Sequence, residues 1–334
     1  MRIGLAGDTM LGRNVAERLS LAGPGSLFDP ALVAITNEAD LLITNLECCI
    51  STHGRPWPDA RKTFFFRAPT RAIDVLGMLG VSCVTLANNH AMDFGGEALL
   101  ETMELLHAAG IAHAGAGSNL AEARRAAHLA SHGTTVSVIG LSDHPHQWAA
   151  TESSAGIAYA NLQQRDTAWV DAALSSSTSD INIVSPHWGP NLVQRPSPYI
   201  RDCALRFRAS GATLVAGHSA HVFHGAGDGV LYDLGDFIDD YATDPMLRND
   251  LGLFFVVEFD GPVPVMLEAI PIALDPARTR LARPTEFRWI ARRFRKACAT
   301  EGTTVAQHDG RLLIDLRSRE SVASTRNQRT ASSV

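Results

Sequence analysis

Residues 81–95 read VSCVTLANNHAMDFG. The first six form an apolar, β-branched run suited to a buried strand. The next four (ANNH) supply amide and imidazole groups, and Gly95-Gly96 opens a helix that should run to 109 and stop at Gly110. A strand that ends in polar residues and passes into a helix is the unit of an α/β protein, and it places those residues at one end of a sheet. The same order recurs outward. Runs 3–6, 181–185 and 213–216 lead into Gly7-Asp8, PHWG (186–189) and GHSAH (217–221), and run 41–43 closes in Asn45-Leu46-Glu47. Asp8, Glu47, Asn89, His90, His187, His218 and His221 therefore all fall where strands end. Carboxylate, amide and imidazole groups gathered in this way can hold a divalent cation and leave a His for proton transfer.

The remaining pattern fits a single large domain. Helical periodicity is expected over 15–21, 30–38, 70–79, 162–174, 199–210 and 284–298, between the strand-like runs. Runs 230–234, 253–259 and 263–270 follow one another without helices, as antiparallel strands do. Such an order predicts an α/β core with a mixed sheet or two packed sheets. The domain should span 1–300, with 301–334 as an extension whose last part, 317–334, is Ser/Thr/Arg-rich and expected to be disordered.

Hydrophobic residues make up 46% of the 334, enough for a sizeable core, and the formal net charge is −6. No global basic field would attract nucleic acid or an anionic membrane. The segment 288–296, RWIARRFRK, is basic, but Phe287, Ile290 and Phe294 share one helical face and leave the cations on a solvated one. Five cysteines without a C-x-x-C pair read as reduced thiols. The start of the chain passes straight into a strand, and no window has the roughly 18 apolar residues of a membrane span. A cytoplasmic protein without a membrane anchor is expected.

Seven blocks resemble the CapA-like family, named for poly-γ-glutamate capsule synthesis: GDTMLGR (7–13), NLE (45–47), FRAP (66–69), LANNHAMDFG (86–95), HWG (187–189), GHSAH (217–221) and LGDF (234–237). The resemblance runs from Arg2 to about Phe259. It implies a fold similar to the calcineurin-like metallophosphatases, a four-layer α/β/β/α sandwich with two packed mixed sheets. It also implies a metal shell of Asp8, Glu47, Asn89, His187, His218 and His221, with His90 as a catalytic residue that binds no metal. Two positions depart from the dinuclear phosphatases: Met10 stands where a His ligand belongs, and Glu47 where the bridging Asp does. One divalent ion is therefore expected, with Ca²⁺, Mg²⁺ or Mn²⁺ favoured by the ligand set, Zn²⁺ allowed, and no organic cofactor.

Asp93 can cap the helix that follows it or orient His90. Asp236 is either a turn carboxylate or a partner for His218 or His221. Arg67 and Arg195 can grip a substrate carboxylate or serve only as surface cations, and Trp188 is assigned to the substrate side. His144 and His146 read as loop residues. Three reactions compete. Some CapA-like proteins encoded with lasso peptides look like peptide epimerases, and two His–carboxylate pairs (His90 with Asp93, His218 or His221 with Asp236) would supply the base and acid for Cα epimerisation of a precursor peptide. That is the leading expectation. Metal-dependent hydrolysis of an amide, peptide or phosphoester bond is the second, and a part in capsule synthesis the third. The expected partner is a peptide or peptide-like substrate.

Overall fold

The computed structural model describes residues 1–317. Two β-sheets pack face to face. The larger runs, in spatial order, Ala306–His308, Arg311–Asp315, Val263–Asp275, Leu251–Asp260, Arg2–Thr9, Leu41–Leu46, Val81–Thr85 and Ala112–Ala114. Asp236–Ile238 pairs with Arg2–Thr9 off this path. The smaller sheet runs Ala226–Gly227, Val230–Leu231, Leu214–Ala216, Ile181–His187, Thr134–Ser142 and Ala127–Ser131.

Strand alternation decides the layers, because successive side chains point to opposite faces. Ile3, Leu5, Leu41 and Ile43 join Val136, Val138, Ile181 and Ile183 in the core between the sheets. Their neighbours Ala6, Leu42 and Val84 face the other way, against Val15 and Leu19 of the Arg13–Ala22 helix, Val75 and Leu76 of Ala72–Leu79, and Leu99 of Gly95–Ala108. On the far side of the smaller sheet, Ile139, Leu141 and Val184 meet Val170 of the Ala168–Ser176 helix and Phe207 of Pro198–Ala209. The result is the expected four-layer α/β/β/α sandwich. Ile290, Phe294 and Cys298 of the Pro284–Thr300 helix also enter the inter-sheet core, while Arg288, Arg292, Arg295 and Lys296 stay exposed.

Several boundaries differ from expectation, each for a local reason. The helix expected over 162–174 begins only at Ala168, because Asn161 Oδ1 accepts from the Gln164 amide and Arg165 turns left-handed at φ 57. Val230–Leu231 pairs antiparallel with Ala226–Gly227 but parallel with Leu214–Ala216, so it belongs to the smaller sheet and not to the long antiparallel strands that start at Leu251. Residues 306–308 and 311–315 of the expected extension complete the edge of the larger sheet. All but the first residue of the tail expected to be disordered, 317–334, lies outside the described residues.

The parallel strands of both sheets end on the same side of the sandwich. In α/β sheets ligands bind beyond the carboxyl ends of parallel strands, where helices and loops leave a crevice. Every strand-end residue singled out above is delivered there.

Candidate metal centre and its proton-transfer neighbour

Register brings the first carboxylates together. Asp8 pairs with Asn45 on one side and Asp236 on the other, and an isolated bridge joins His187 to His218 across the smaller sheet. Gly7 permits this approach: a Cβ there would stand 1.9 Å from the Gly235 carbonyl oxygen. The GHSAH loop is held open by residues in unusual conformations, Ser219 at φ 103 and His221 at φ 57. Non-glycine residues rarely adopt such angles, and those that do cluster at functional sites.

At the centre, one donor atom each from Asp8, Glu47, His221 and Asp236 lies within 4.8 Å of the others, and all four residues are buried. His221 Nδ1 is 2.8 Å from Asp236 Oδ1 and 3.5 Å from Asp8 Oδ2, with its Nε2 3.9 Å from Glu47 Oε1. His187 Nε2 is 4.0 Å from that same Glu47 oxygen, and His218 Nδ1 is 3.1 Å from Asp8 Oδ1. Asn45 Nδ2 donates to Asp8 Oδ1 at 2.8 Å, and Tyr241 donates to Glu47 Oε2 at 3.1 Å.

This set fits a divalent cation. Glu47 Oε1, Asp236 Oδ2, His187 Nε2 and Asn89 Oδ1 are buried without a hydrogen-bond partner, an arrangement that is costly unless something coordinates them. Electrostatics point the same way. Burial, with the charges of Asp8 and Asp236 adding to it, pushes the Glu47 carboxyl well up. Burial and the nearby Asp239 and Asp8 do the same to Asp236. Burial also pushes Asp8 up, but the close imidazoles of His218, His187 and His221 outweigh it and hold Asp8 ionised. Burial drives His187 well below its ordinary value, and a neutral imidazole is the form that binds metal.

Next to this centre sits a second group. His90 Nδ1 is 2.7 Å from Asp93 Oδ2, which also accepts from the Phe66 amide at 2.5 Å. Lys62 Nζ lies 2.7 Å from the other Asp93 oxygen and donates to the Asn89 carbonyl at 2.9 Å. The His90 ring stacks on Phe66 at 3.8 Å, and Phe66 in turn stacks on Tyr241, whose ring meets His221 edge-on. With Nδ1–H given to the carboxylate, Nε2 carries the free lone pair. Burial lowers the His90 pKa to about 4, despite the raising effect of Asp93, so the ring is neutral at pH 7. That is lower than the near-neutral value expected of an acid–base pair.

Of the residues expected at the site, Asp8, Glu47, His187, His218, His221 and Asp236 converge, with Asn89, His90 and Asp93 alongside. Three do not. Trp188 is 2% exposed, donates from Nε1 to the Tyr232 carbonyl at 2.9 Å and stacks on Phe207 in the helix-side core. Chain alternation turns it away from its neighbour His187. Arg67 lies over the Phe94 ring at 4.1 Å, and Arg195 lines a surface groove with Lys296. Conversely, Asn45, Lys62 and Tyr241 were not singled out. Asn45 sits inside the NLE block and could have been found there, whereas nothing in the irregular run around Lys62 or after Asp240 marks the other two.

The second expected acid–base pair is not available as such. His221 and Asp236 stand inside the carboxylate cluster, so only His90–Asp93 lies beside it. Beyond His187, His144 Nδ1 contacts Asp143 Oδ1 at 2.5 Å, and Tyr199 donates to Asp143 Oδ2 at 2.9 Å.

Residues 2–241 match the family described as bacterial capsule synthesis protein PGA_cap, and the chain belongs to that family. It is 30% identical to a probable polyglutamine synthesis accessory protein of Mycobacterium tuberculosis, over 85% of this chain and 79% of the relative. It is 26% identical to the PGA biosynthesis protein CapA of Bacillus subtilis, over 79% of this chain and 73% of that one. Among solved structures, a hypothetical protein from Thermus thermophilus matches at 15% identity with a TM-score of 0.47, over 81% of this chain and 98% of that one. The names of these sequence relatives overturn the leading expectation of peptide Cα epimerisation in favour of the capsule-synthesis alternative. No helix among the described residues is long and apolar enough to cross a membrane.

Proposed function

We propose that the chain is an accessory enzyme of polyglutamyl polymer synthesis, which uses one divalent ion and His90 to cleave an amide bond of the polymer. The match over residues 2–241, with relatives named for polyglutamine and PGA synthesis, carries the substrate class. The buried cluster of Asp8, Glu47, His221 and Asp236 supports the metal, with His187 and His218 completing the shell. A single ion is favoured because Met10 is fully buried on the helix side and its Sδ accepts from the Gly12 amide at 3.1 Å. Hydrolysis of a phosphoester by a two-metal clamp is correspondingly less supported.

A bound divalent ion would polarise the scissile carbonyl and favour ionisation of water. The protein's own groups do the rest. Asp93 fixes the His90 tautomer so that Nε2 can take the proton of an attacking water and return it to the departing nitrogen. Lys62 holds Asp93 in place and balances its charge. Phe66 keeps bulk water from one face of the imidazole. His90 is thus a neutral base at physiological pH, and the positive charge it gains in the transition state is stabilised by Asp93.

The test is incubation of the purified full chain with poly-γ-glutamate and Mg²⁺, Mn²⁺, Ca²⁺ or Zn²⁺, following polymer length by size exclusion and counting new amino termini. Shortening with one new amine per cut, abolished by a chelator, is expected. Unchanged length and amine count with every ion would sink the reading.

A further inference from the structure

The Pro284–Thr300 helix carries five cations and one carboxylate in a chain whose net charge is −6. Its apolar face is spent on the inter-sheet core, as described, and its polar face presents Arg288, Arg292 and Lys296 in a row four residues apart. Among the described residues, none of the three has a carboxylate oxygen within 4 Å, whereas Arg280 on a neighbouring strand is fully paired with Asp275 and Glu286. Arg295 on the same side donates to Gln307 at 2.9 Å and keeps its charge uncompensated by an acid.

The row does not end with the helix. Lys296 lines one groove with Arg195, and the Glu301 carboxylate in that groove is held by both guanidinium nitrogens of Arg201, at 2.6 and 2.9 Å. Arg195 belongs to the loop that leaves the metal centre after His187 and Gly189. That loop is tied back to the GHSAH segment by Leu192 N–H to the Ala220 carbonyl at 2.9 Å, and by His224 Nε2 with the Val193 carbonyl at 2.7 Å. A continuous basic track therefore connects the helix to the segment that carries His187.

We infer that this track, Arg195, Lys296, Arg292 and Arg288, is a docking surface for the polyglutamate chain itself, distinct from the residues that would cut it. The inference rests on the proposed substrate class. Spacing supports a γ-linked chain. Residues four apart on a helix repeat every ~6 Å, and one γ-glutamyl unit, with five backbone bonds, extends about 6 Å per carboxylate. The carboxylate repeat thus matches the cation repeat, and the long Arg and Lys side chains can reach carboxylates that alternate sides along the extended polymer. The exposed side of this helix offers no row of aromatic rings on which bases could stack, so an acidic polypeptide is favoured over single-stranded nucleic acid.

The test uses the full chain and its R288Q/R292Q/K296Q variant, with a poly-γ-glutamate of about fifty residues as ligand. Gln keeps helix propensity close to that of Arg and Lys, so the variant should retain its melting temperature and metal content. Calorimetry at low salt should show wild-type binding that weakens as salt rises, and binding roughly tenfold weaker in the variant. Polyglutamate with α-linkages and a DNA oligonucleotide of matched charge should bind wild type no better than the variant binds the γ-polymer. Equal affinity of wild type and variant overturns the docking surface and leaves the substrate reading standing. Equal binding of the oligonucleotide makes the track a general polyanion surface and overturns the inference as well. Wild type that neither binds nor shortens the polymer removes both readings together.

Discussion

The two charged groups at the end of the sandwich differ in one respect. Around His90, charge is balanced within the protein: one carboxylate, Asp93, takes Lys62 on one oxygen and His90 and the Phe66 amide on the other. Around Asp8 it is not. Asp8, Glu47 and Asp236 crowd His187, His218 and His221, and burial with mutual repulsion pushes the Glu47 and Asp236 carboxyls up. A closed group needs no ligand from outside to satisfy its charges. An over-acidic group with unpartnered oxygens and nitrogens is built to receive a cation.

The largest effect that could break this contrast is at Asp8. Asp8→Ala removes a carboxylate in contact with His218 and His221 and should cost all measurable metal, and with it all activity. Thermal stability should fall too, since an ion at a hundred times its dissociation constant contributes about 2.7 kcal/mol. His187→Ala should behave alike. Metal analysis by mass spectrometry decides, and full occupancy in Asp8→Ala would mean that the unbalanced group is not the metal centre.

His90→Ala should lower turnover by about 10²–10⁴, the usual contribution of a positioned acid–base group, with metal content unchanged. Loss of metal here would dissolve the distinction between the two groups. Lys62→Met comes next. It leaves Asp93 buried with one partner fewer, and a fall in stability of about 2–3 kcal/mol by chemical denaturation is expected, somewhat less than for breaking an otherwise unsupported buried pair. Turnover should fall about tenfold, because Asp93 still holds His90 but less firmly.

How far each group could be read from sequence follows from the same physics. The strand-then-ligand order is local, so Asp8, Glu47, Asn89, His187, His218 and His221 could be picked out from runs of a few residues. The order of strand-like and helix-like runs left a mixed sheet or two packed sheets open, and the family resemblance supplied the sandwich, because which sheet a strand joins depends on partners distant in sequence. Lys62 was not legible. It lies in an aperiodic stretch, and only tertiary packing brings it to Asp93. Asp236 was visible as a candidate, but its place beside Asp8 depends on a parallel register between segments more than two hundred residues apart. Trp188 misled because adjacency in sequence is opposition in a strand.

The smallest expected effect sharpens the contrast from outside it. Arg280 and Glu286 form a second closed group, remote in chemistry from the metal centre, at the start of the Pro284–Thr300 helix. Arg280 donates to both Glu286 oxygens, at 2.7 and 2.8 Å, and Glu286 also reaches back to accept from the amide of Arg283, the N-cap of that helix. The Arg280 hydrogen bonds outweigh burial and lower the Glu286 pKa to about 2. A carboxylate held below its unfolded value contributes stability that is present above the unfolded pKa, ~4.3, and is lost as pH falls through the folded one. Glu286→Gln should therefore cost about 1 kcal/mol at pH 7, the usual worth of a cap with a partly exposed ion pair. The difference between wild type and variant should shrink steadily from pH 4.3 towards pH 2. Because Glu286 already has its cation in Arg280, the shrinkage should be the same with metal and with chelator. A pH profile for this variant that changed on adding metal would mean that the two ends of the molecule share charge, and that the Asp8 group is not the only one open to a cation.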